Sequence, residues 1–423
     1  MNTRSRWWGA VAAAGLVAIL AATLYPEPGA KEVASRTSLF CLVCGEHGGT
    51  DVILNLLLFI PFATGLRLWG WSWGRVTLAC AALSFTVESC QYFLVPGRDA
   101  SLSDLLTNTT GGSVAAAVAP LLRVALAPDS GDARRLLLLG VVTWIGISAA
   151  AGWLFLPWVR HGRALSERCD FTELASAYTG KIRSVTVSGD TMPDGRLDHR
   201  ESARVSDLFA GESIEVRVEV LSQEPSPYRR WIYRLRIGPG QLVLSQQGTS
   251  LVFEVPRQLA KIEIFNPSLR LDDGAPDRSG VPFTVVAGEH RGHLWVESTV
   301  EGHTRRATLA LAPTMVWGLV VPYNYAFGPE AWLLTLLWVG GLMVPLGFWA
   351  RRTGQPVVSL TLVGAAVVVG LGLVPWLSQT GPVPLRDWLA AIAGVAAGWA
   401  ARAPAAYLAT RCGSPSANAF SSS

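Results

Sequence analysis

The chain has 423 residues, of which 50% are hydrophobic and only 16% are charged. Soluble globular chains carry about 25% charged residues, so this composition excludes a soluble cytosolic enzyme and a disordered chain. The net charge of +4 is too small to steer the chain onto nucleic acid. The composition therefore indicates a membrane protein, and the length allows two or three domains.

Eight apolar stretches are long enough to cross a bilayer, which requires about 20 helical residues. They cover residues 7–25, 52–70, 76–95, 107–126, 136–158, 329–350, 356–377 and 387–409. No clear small-x-small cleavage site follows the first stretch, so we interpret it as an uncleaved anchor rather than as a signal peptide. The sequence thus predicts a mainly α polytopic membrane protein with about eight spans.

The basic residues between the stretches predict the orientation, because they stay preferentially on the cytoplasmic side. With the N-terminus inside, the inner segments hold Arg67, Arg75, Arg123, Arg134, Arg135, Arg351, Arg352, Arg402 and Arg411. The short outer segments hold only Lys31, Arg36, Arg98 and Arg386. High use of Ala, Arg and Gly is typical of a GC-rich bacterium. We therefore expect a bacterial cytoplasmic (inner) membrane protein with both termini in the cytoplasm.

A polar block separates the fifth and sixth stretches. Residues 159–313 hold 20 basic and 20 acidic residues. Alternating apolar and polar positions predict strands at 213–220, 231–237, 241–245, 250–255, 283–286, 293–296 and 307–311. Short strands separated by Gly, Pro and Asp turns are typical of a β-sandwich or jelly roll. The block follows an odd number of spans, so we expect it to be extracytoplasmic.

These patterns divide the chain into four parts. They are a membrane domain of five helices (1–158), an extracytoplasmic β-sandwich (159–327), a second membrane unit of three helices (328–412) and a disordered tail (413–423). In the last helix, Gly394 and Gly398 form a small-xxx-small pattern. This pattern predicts close packing against another helix.

Polar side chains recur at the predicted outer ends of the second, third and fourth spans. Three pairs each lie on one helix face, and Arg98 lies in the loop between the last two pairs. Polar groups are costly in lipid, so we interpret the set as one outward-facing pocket: Asp51, Asn55, Glu88, Gln91, Arg98, Asp104 and Asn108. The alternative is structural, because aspartates cap helices and amides hydrogen-bond between helices.

The same residues carry a resemblance to the VanZ-like membrane proteins. The opening motif of that family resembles the run from Asp51 through Asn55 and Phe59 to Pro61, with Gly65. A second motif matches in order and spacing, with Glu88-x-x-Gln91, then Arg98, then Asp104-x-x-x-Asn108-x-x-Gly111. The resemblance covers residues 10–126. The family is named for a protein associated with teicoplanin resistance, so the resemblance implies a cell-envelope membrane protein and leaves the activity open.

The polar block is similar to concanavalin-A-like and laminin-G-like domains in its strand–turn–strand pattern at 242–253. Such domains often bind glycans, so the resemblance implies glycan as a partner. Asp272, Asp273 and Asp277 form an acidic loop that we interpret as solvated, and we expect neither a metal nor a cofactor. Cys41-Leu-Val-Cys44 predicts a local disulfide in the first outer segment, with a redox pair or half of a metal site with His47 as alternatives.

Two functions remain open, and we favour the first. In the first, the outward pocket of a non-enzymatic envelope protein binds a polar lipid headgroup, a lipid-linked wall precursor or a glycopeptide. In the second, an intramembrane enzyme acts on a lipid-linked substrate, with Glu88 as general acid or base and Arg98 as an anion clamp. A structural scaffold with a glycan-binding external domain is a further alternative. Membrane lipid is an expected partner in each case, and nucleic acid is not.

Overall fold

The computed structural model of the protein describes residues 3–25, 48–95, 100–157, 168–170, 178–192, 195–196, 213–237, 240–320 and 331–401. Helices occur before and after a run of β-strands. Those before the strands are α1 (Thr3–Thr23), α2 (Gly48–Leu58), α3 (Ile60–Trp69), α4 (Trp73–Leu94), α5 (Leu102–Val118), α6 (Leu121–Leu126) and α7 (Ser130–Leu154). Those after the strands are α8 (Val316–Val320), α9 (Ala331–Ala350), α10 (Pro356–Val368), α11 (Val374–Leu377) and α12 (Leu385–Ala400).

Five stretches of described helix are long and apolar enough to cross a membrane. They are Arg6–Thr23, Gly48–Trp69, Ser130–Leu154, Trp332–Ala350 and Pro356–Leu377. The chain is therefore a membrane protein. The other predicted spans coincide with α4, α5 and α12, and the last two have only 17 and 16 residues, fewer than the roughly 20 that a bilayer requires. The total of eight spans stays a prediction.

Prolines interrupt the predicted spans at defined places. The helix breaks at Phe59, two residues before Pro61, since proline has no N–H to bond the preceding turn. Pro120 likewise separates α5 from α6. Between α10 and α11 the chain widens into a π-helical turn over Val369–Leu373, just before Pro375.

Helices α1 to α5 pack into a first bundle through glycines. A Cβ on Gly15 would overlap the backbone of Phe62, and a Cβ on Gly65 would overlap that of Ala12. These glycines therefore let α1 and α3 touch along their backbones. The buried core of this bundle includes Ile19, Phe59, Ala63, Val76, Cys80 and Ala116.

Helix α7 packs with the helices that follow the strands. Its Leu137, Val141 and Trp144 form one buried cluster with residues of α9, α10 and α12. Gly394 and Gly398 of α12 lie against the backbone of α9, where a Cβ would overlap a carbonyl oxygen. The glycine pattern of the last helix thus serves close packing within the chain.

The described strands form two six-stranded antiparallel sheets. Their bounds are β1 (Arg168–Asp170), β2 (Lys181–Val187), β3 (Asp190–Thr191), β4 (Gly195–Arg196), β5 (Ser213–Leu221), β6 (Arg230–Ile237), β7 (Gly240–Gln247), β8 (Ser250–Glu254), β9 (Ser268–Leu271), β10 (Pro282–His290), β11 (His293–Val300) and β12 (His303–Ala310). The sheet orders are β4-β1-β6-β7-β8-β9 and β12-β11-β10-β5-β2-β3.

The two sheets face each other across one apolar core. Val216 and Val218 of β5 meet Leu242 of β7 and Phe253 of β8 there, all of them buried. The predicted β-sandwich is therefore present. Its likeness to concanavalin-A-like domains and to a jelly roll stays a prediction.

The acidic loop of the sandwich pairs with arginines. Asp272 accepts hydrogen bonds from Arg270 Nε at 2.7 Å and from Ser250 Oγ at 2.9 Å. These hydrogen bonds hold the pKa of Asp272 below its ordinary value. Asp273 forms an ion pair with Arg305 at 3.1 Å. The two carboxylates are thus engaged by side chains of neighbouring strands.

The sandwich rests on one end of the helices. Phe155, directly after α7, is part of the sandwich core. Gly49 in the first turn of α2 lies against the carbonyl oxygen of Ile262. Gly292, at the turn between β10 and β11, lies against Gly381 just before α12. The end of α7 and the starts of α2 and α12 therefore face the sandwich.

Candidate functional site

Polar side chains of α2, α4 and α5 meet toward the sandwich end of the first bundle. We call this group the polar seam, and its members are Asn55, Ser84, Glu88, Gln91, Ser101, Asp104 and Asn108. Five of them were predicted from the sequence as part of one pocket, namely Asn55, Glu88, Gln91, Asp104 and Asn108. Ser84 and Ser101 are additional members.

The start of α5 is fixed by a capping contact. Ser101 is the N-cap residue with extended backbone, and its Oγ accepts a hydrogen bond from the backbone N–H of Asp104 at 3.3 Å. A serine followed three residues later by an acidic residue is a common N-terminal signature. The carboxylate of Asp104 in the first turn also interacts favourably with the helix dipole. This cap places Asp104 in the first turn of α5, beside the other members of the seam.

Asp104 also joins α5 to α2. Asn55 Nδ2 donates a hydrogen bond to Asp104 Oδ1 at 2.7 Å. The two helices approach closely because Gly111 lies against the carbonyl oxygen of Leu56, where a Cβ would overlap it. A larger residue at position 111 would push the helices apart and separate Asn55 from Asp104.

Glu88 connects α4 to the same cap. The backbone N–H of Ser101 donates to Glu88 Oε2 at 2.8 Å. The Glu88 side chain is only 9% exposed, so its carboxylate lies inside the bundle rather than on the surface. Ser101 therefore links the Glu88 carboxylate to the backbone of Asp104, because its N–H donates to Glu88 and its hydroxyl oxygen accepts from the N–H of Asp104.

Two amides complete the seam. Asn108 Nδ2 donates to Ser84 Oγ at 3.1 Å, and both side chains are buried. Gln91 Nε2 donates to the carbonyl oxygen of Thr23 at 2.9 Å, which ties α4 to the end of α1. Ser84, Glu88 and Gln91 are spaced i, i+4 and i+7, so they lie on one face of α4.

The remaining residues of the predicted pocket are placed differently. Asp51 lies in the first turn of α2 and is exposed. Arg98 lies outside the described residues, as do Cys41 and Cys44 of the predicted disulfide. Within the described ranges, no three His, Cys, Asp or Glu side chains form a group suited to a metal ion.

Sequence reasoning overlooked Ser84 and Ser101, although each had a signal. Ser84 precedes Glu88 by four residues, so it had to lie on the same helix face. Ser101 stands three residues before Asp104, which is the spacing of an N-cap. Serine alone is a weak signal, because it is common in membrane helices and at helix starts, where it hydrogen-bonds to nearby backbone.

A second buried polar contact lies in the other bundle. Thr314 Oγ1 donates to Asp387 Oδ2 at 2.6 Å, and Asp387 is 1% exposed. Trp338 Nε1 donates to the carbonyl oxygen of Thr314 at 3.0 Å. Thr314, four residues beyond the end of β12, therefore connects the sandwich to both α9 and α12.

The helices and the intervening sandwich define a polytopic membrane protein that carries an all-β domain. A family model described as VanZ/LLP1 matches residues 10–123. The matched segment contains every residue of the polar seam, and it confirms the VanZ-like resemblance of the N-terminal part. No curated protein and no solved structure matches the chain.

Proposed function

We propose that the protein acts in the cell envelope, where the polar seam binds the polar headgroup of a lipid, of a lipid-linked wall precursor or of a glycopeptide. The observation that carries the proposal is the convergence of Asn55, Glu88 and Asp104 from three helices into one hydrogen-bonded group. Helix capping accounts for Asp104. Glu88 also contacts this cap through the N–H of Ser101, but it lies within α4, where an ionisable residue is costly and by default indicates a functional site.

The proposed orientation places the seam and the sandwich outside the cytoplasm. The arginines at helix ends remote from the sandwich support it, since positive residues favour the cytoplasmic side. They include Arg67 in α3, Arg75 in α4, Arg135 in α7, and Arg351 and Arg352 after α9. On this proposal eight helices cross a bacterial inner membrane, both termini are cytoplasmic, and the sandwich is free to contact glycan or a partner protein.

A second candidate is an intramembrane enzyme with Glu88 as general acid or base. One oxygen of Glu88 accepts the N–H of Ser101, and the other makes no hydrogen bond to a described residue. An oxygen in this position is suited to exchanging a proton with a bound substrate. The Glu88→Gln variant separates the candidates: it should abolish catalysis entirely, whereas it should weaken binding only in part because glutamine keeps one acceptor.

Glycopeptide susceptibility tests the proposal in cells. A sensitive host would express the wild type, Glu88→Ala, Asp104→Ala or the exposed control Glu215→Ala at matched membrane levels. We expect the wild type and the control to raise the inhibitory concentration of teicoplanin, and the two seam variants to lose this protection. Equal protection by all four proteins would contradict a role of the seam. No protection by any of them would restrict the ligand to lipid or wall precursor.

A further inference from the structure

The end of the first bundle that is remote from the sandwich is rich in tryptophan. The residues lie at the start of α1 and at the turn from α3 to α4, and they are Trp7, Trp8, Trp69, Trp71 and Trp73. We call this group the aromatic end. The exposed fractions of Trp69, Trp71 and Trp73 are 41%, 39% and 51%. Tryptophan is enriched at membrane–water interfaces, so the aromatic end is suited to the surface of the bilayer.

The packing of α1 against α3 brings arginines from three helices to the aromatic end. They are Arg6 of α1, Arg67 in the last turn of α3 and Arg75 in the first turn of α4. Arg6 lies one helical turn before Gly9, where a Cβ would meet the Trp69 ring at 3.5 Å. Arg67 Nη1 donates to the carbonyl oxygen of Trp71 at 3.1 Å. Three helices therefore present guanidinium groups around one turn.

The positive charge of this end is not balanced along the chain. Residues 1–26 and 59–87 contain no Asp or Glu, and neither do residues 402–423. The acidic residues at the start of α7 serve that helix, because Asp129 caps it and Asp132 lies 4.0 Å from Arg135. The aromatic end thus carries a local excess of positive charge, which attracts anions.

The first turn of α4 has the same preference for an anion. A helix N-terminus carries a partial positive charge and favours acidic residues, yet α4 has Arg75 and no acidic residue in its first turn. Among the described residues, the side chain of the N-cap residue Ser72 caps no N–H group of this turn. A Cβ on Gly74 would meet nothing within 4 Å, so the space beside the turn is open. An anion there would accept the free N–H groups and neutralise Arg75.

We propose that the aromatic end binds the headgroup of an anionic phospholipid. Arginine binds phosphate through its charge and its paired N–H donors, and tryptophan rings lie at the level of the headgroups. A free phosphate would use only the arginines, whereas a lipid uses the arginines and the exposed indole rings. The site is separate from the polar seam, because Arg75 and Glu88 lie about 20 Å apart along the axis of α4.

Native mass spectrometry of the full chain in detergent tests the proposal. The protein is mixed with equal amounts of dioleoyl phosphatidylglycerol and dioleoyl phosphatidylcholine, and the bound lipids are counted. We expect the wild type to retain phosphatidylglycerol over phosphatidylcholine by about tenfold or more, since each arginine near the surface contributes about fivefold. Arg75→Gln should lower this ratio by about fivefold, whereas Arg75→Lys keeps the charge and should retain most of it.

Two further variants locate the effect. Arg6→Gln removes a charge from α1 and leaves α4 unchanged, and it should lower the ratio by a similar factor. Arg217→Gln makes the same change on the exposed face of β5 and should leave the ratio intact.

Free glycerol phosphate in excess separates the lipid from a soluble anion. Retention of the lipid would support the proposal, and its displacement would overturn the lipid in favour of a soluble phosphate. Equal retention of the two lipids by the wild type would overturn the proposal. The same ratio in Arg75→Gln, Arg6→Gln and Arg217→Gln would overturn it as well, because the preference would then come from the net charge of the chain.

Discussion

Asn55 holds α2 against α5 by a side-chain hydrogen bond to Asp104 at 2.7 Å. Asn55→Ala removes this donor from a partly buried carboxylate. We expect the free energy of unfolding to fall by about 1–3 kcal/mol, the usual cost of leaving a buried charged acceptor without its donor. Denaturant unfolding in detergent micelles, followed by tryptophan fluorescence, measures it.

Thr86→Ala is the matched control for this experiment. The Thr86 hydroxyl is exposed on α4 and donates only to the carbonyl of Ala82 in its own helix. Its replacement should change stability by no more than about 0.5 kcal/mol. An Asn55→Ala protein as stable as Thr86→Ala would show that the hydrogen bond between α2 and α5 contributes nothing.

At the residue scale, the sequence predicts which polar side chains share a helix face better than it predicts their hydrogen-bond partners. Helical spacing places Glu88 and Gln91 on one face of α4, and Asp104 and Asn108 on one face of α5. It does not indicate that Gln91 donates to the carbonyl of Thr23, because that pairing spans 68 residues and depends on how α1 packs. Local periodicity carries no information about such long-range contacts.

At the scale of elements, glycines set how closely helices approach. A Cβ on Gly398 would overlap the carbonyl oxygen of Val344 in α9, whereas a Cβ on Gly364 of α10 would meet nothing within 4 Å. Gly398→Ala should therefore destabilise the protein by about 1–3 kcal/mol through overpacking. Gly364→Ala should stabilise it by up to about 1 kcal/mol, because alanine is the better helix former.

The opposite signs of these two identical substitutions are the test. Both are made in the full chain and compared by thermal unfolding in the same detergent. A Gly398→Ala protein at least as stable as Gly364→Ala would show that the approach of α12 to α9 does not depend on Gly398.

Helices and strands differ in how well their bounds can be predicted from the sequence. Residues 213–220 alternate strictly, and β5 forms there with alternate side chains exposed and buried, because one face of its sheet packs on the core. The predicted fourth span begins at 107, whereas α5 begins at Leu102, since the cap at Ser101 lies in a polar stretch without helical apolar periodicity. Strands β3 and β4 have two residues each and are too short for any periodicity.

At the scale of the whole molecule, Thr314 and Asp387 join the sandwich to the second bundle. The pair is buried, and 73 residues separate its members. We expect Thr314→Val and Asp387→Ala to be coupled, with an interaction energy of about 0.5–3 kcal/mol in a double-mutant cycle. Equilibrium unfolding of the two single variants and the double variant gives this energy.

Thr361→Val on the exposed face of α10 is the control, because its hydroxyl donates only to Val357 in the same helix. Combined with Asp387→Ala it should be additive to within about 0.5 kcal/mol. Additive effects for Thr314→Val as well would show that the sandwich and α12 are held together by other contacts.

The order of the domains was predictable, and the contacts between them were not. The helices coincide with long apolar stretches, and the sandwich coincides with a high density of charged residues. Both features can be read from the local composition of the sequence. The association of α7 with α9, α10 and α12 has no local signal. It depends on Trp144, whose Nε1 donates to the carbonyl oxygen of Ala366 across 222 residues.

The central claim is that the polar seam holds a headgroup, and photocrosslinking in living cells tests it most directly. Benzoylphenylalanine would replace Tyr92, an exposed aromatic residue one turn beyond Glu88, or Trp73 at the opposite end of α4. We predict that position 92 captures a headgroup-bearing molecule, that Glu88→Gln abolishes this adduct, and that adducts at position 73 do not change. The same adduct at position 92 with and without the Glu88 carboxylate would contradict the account.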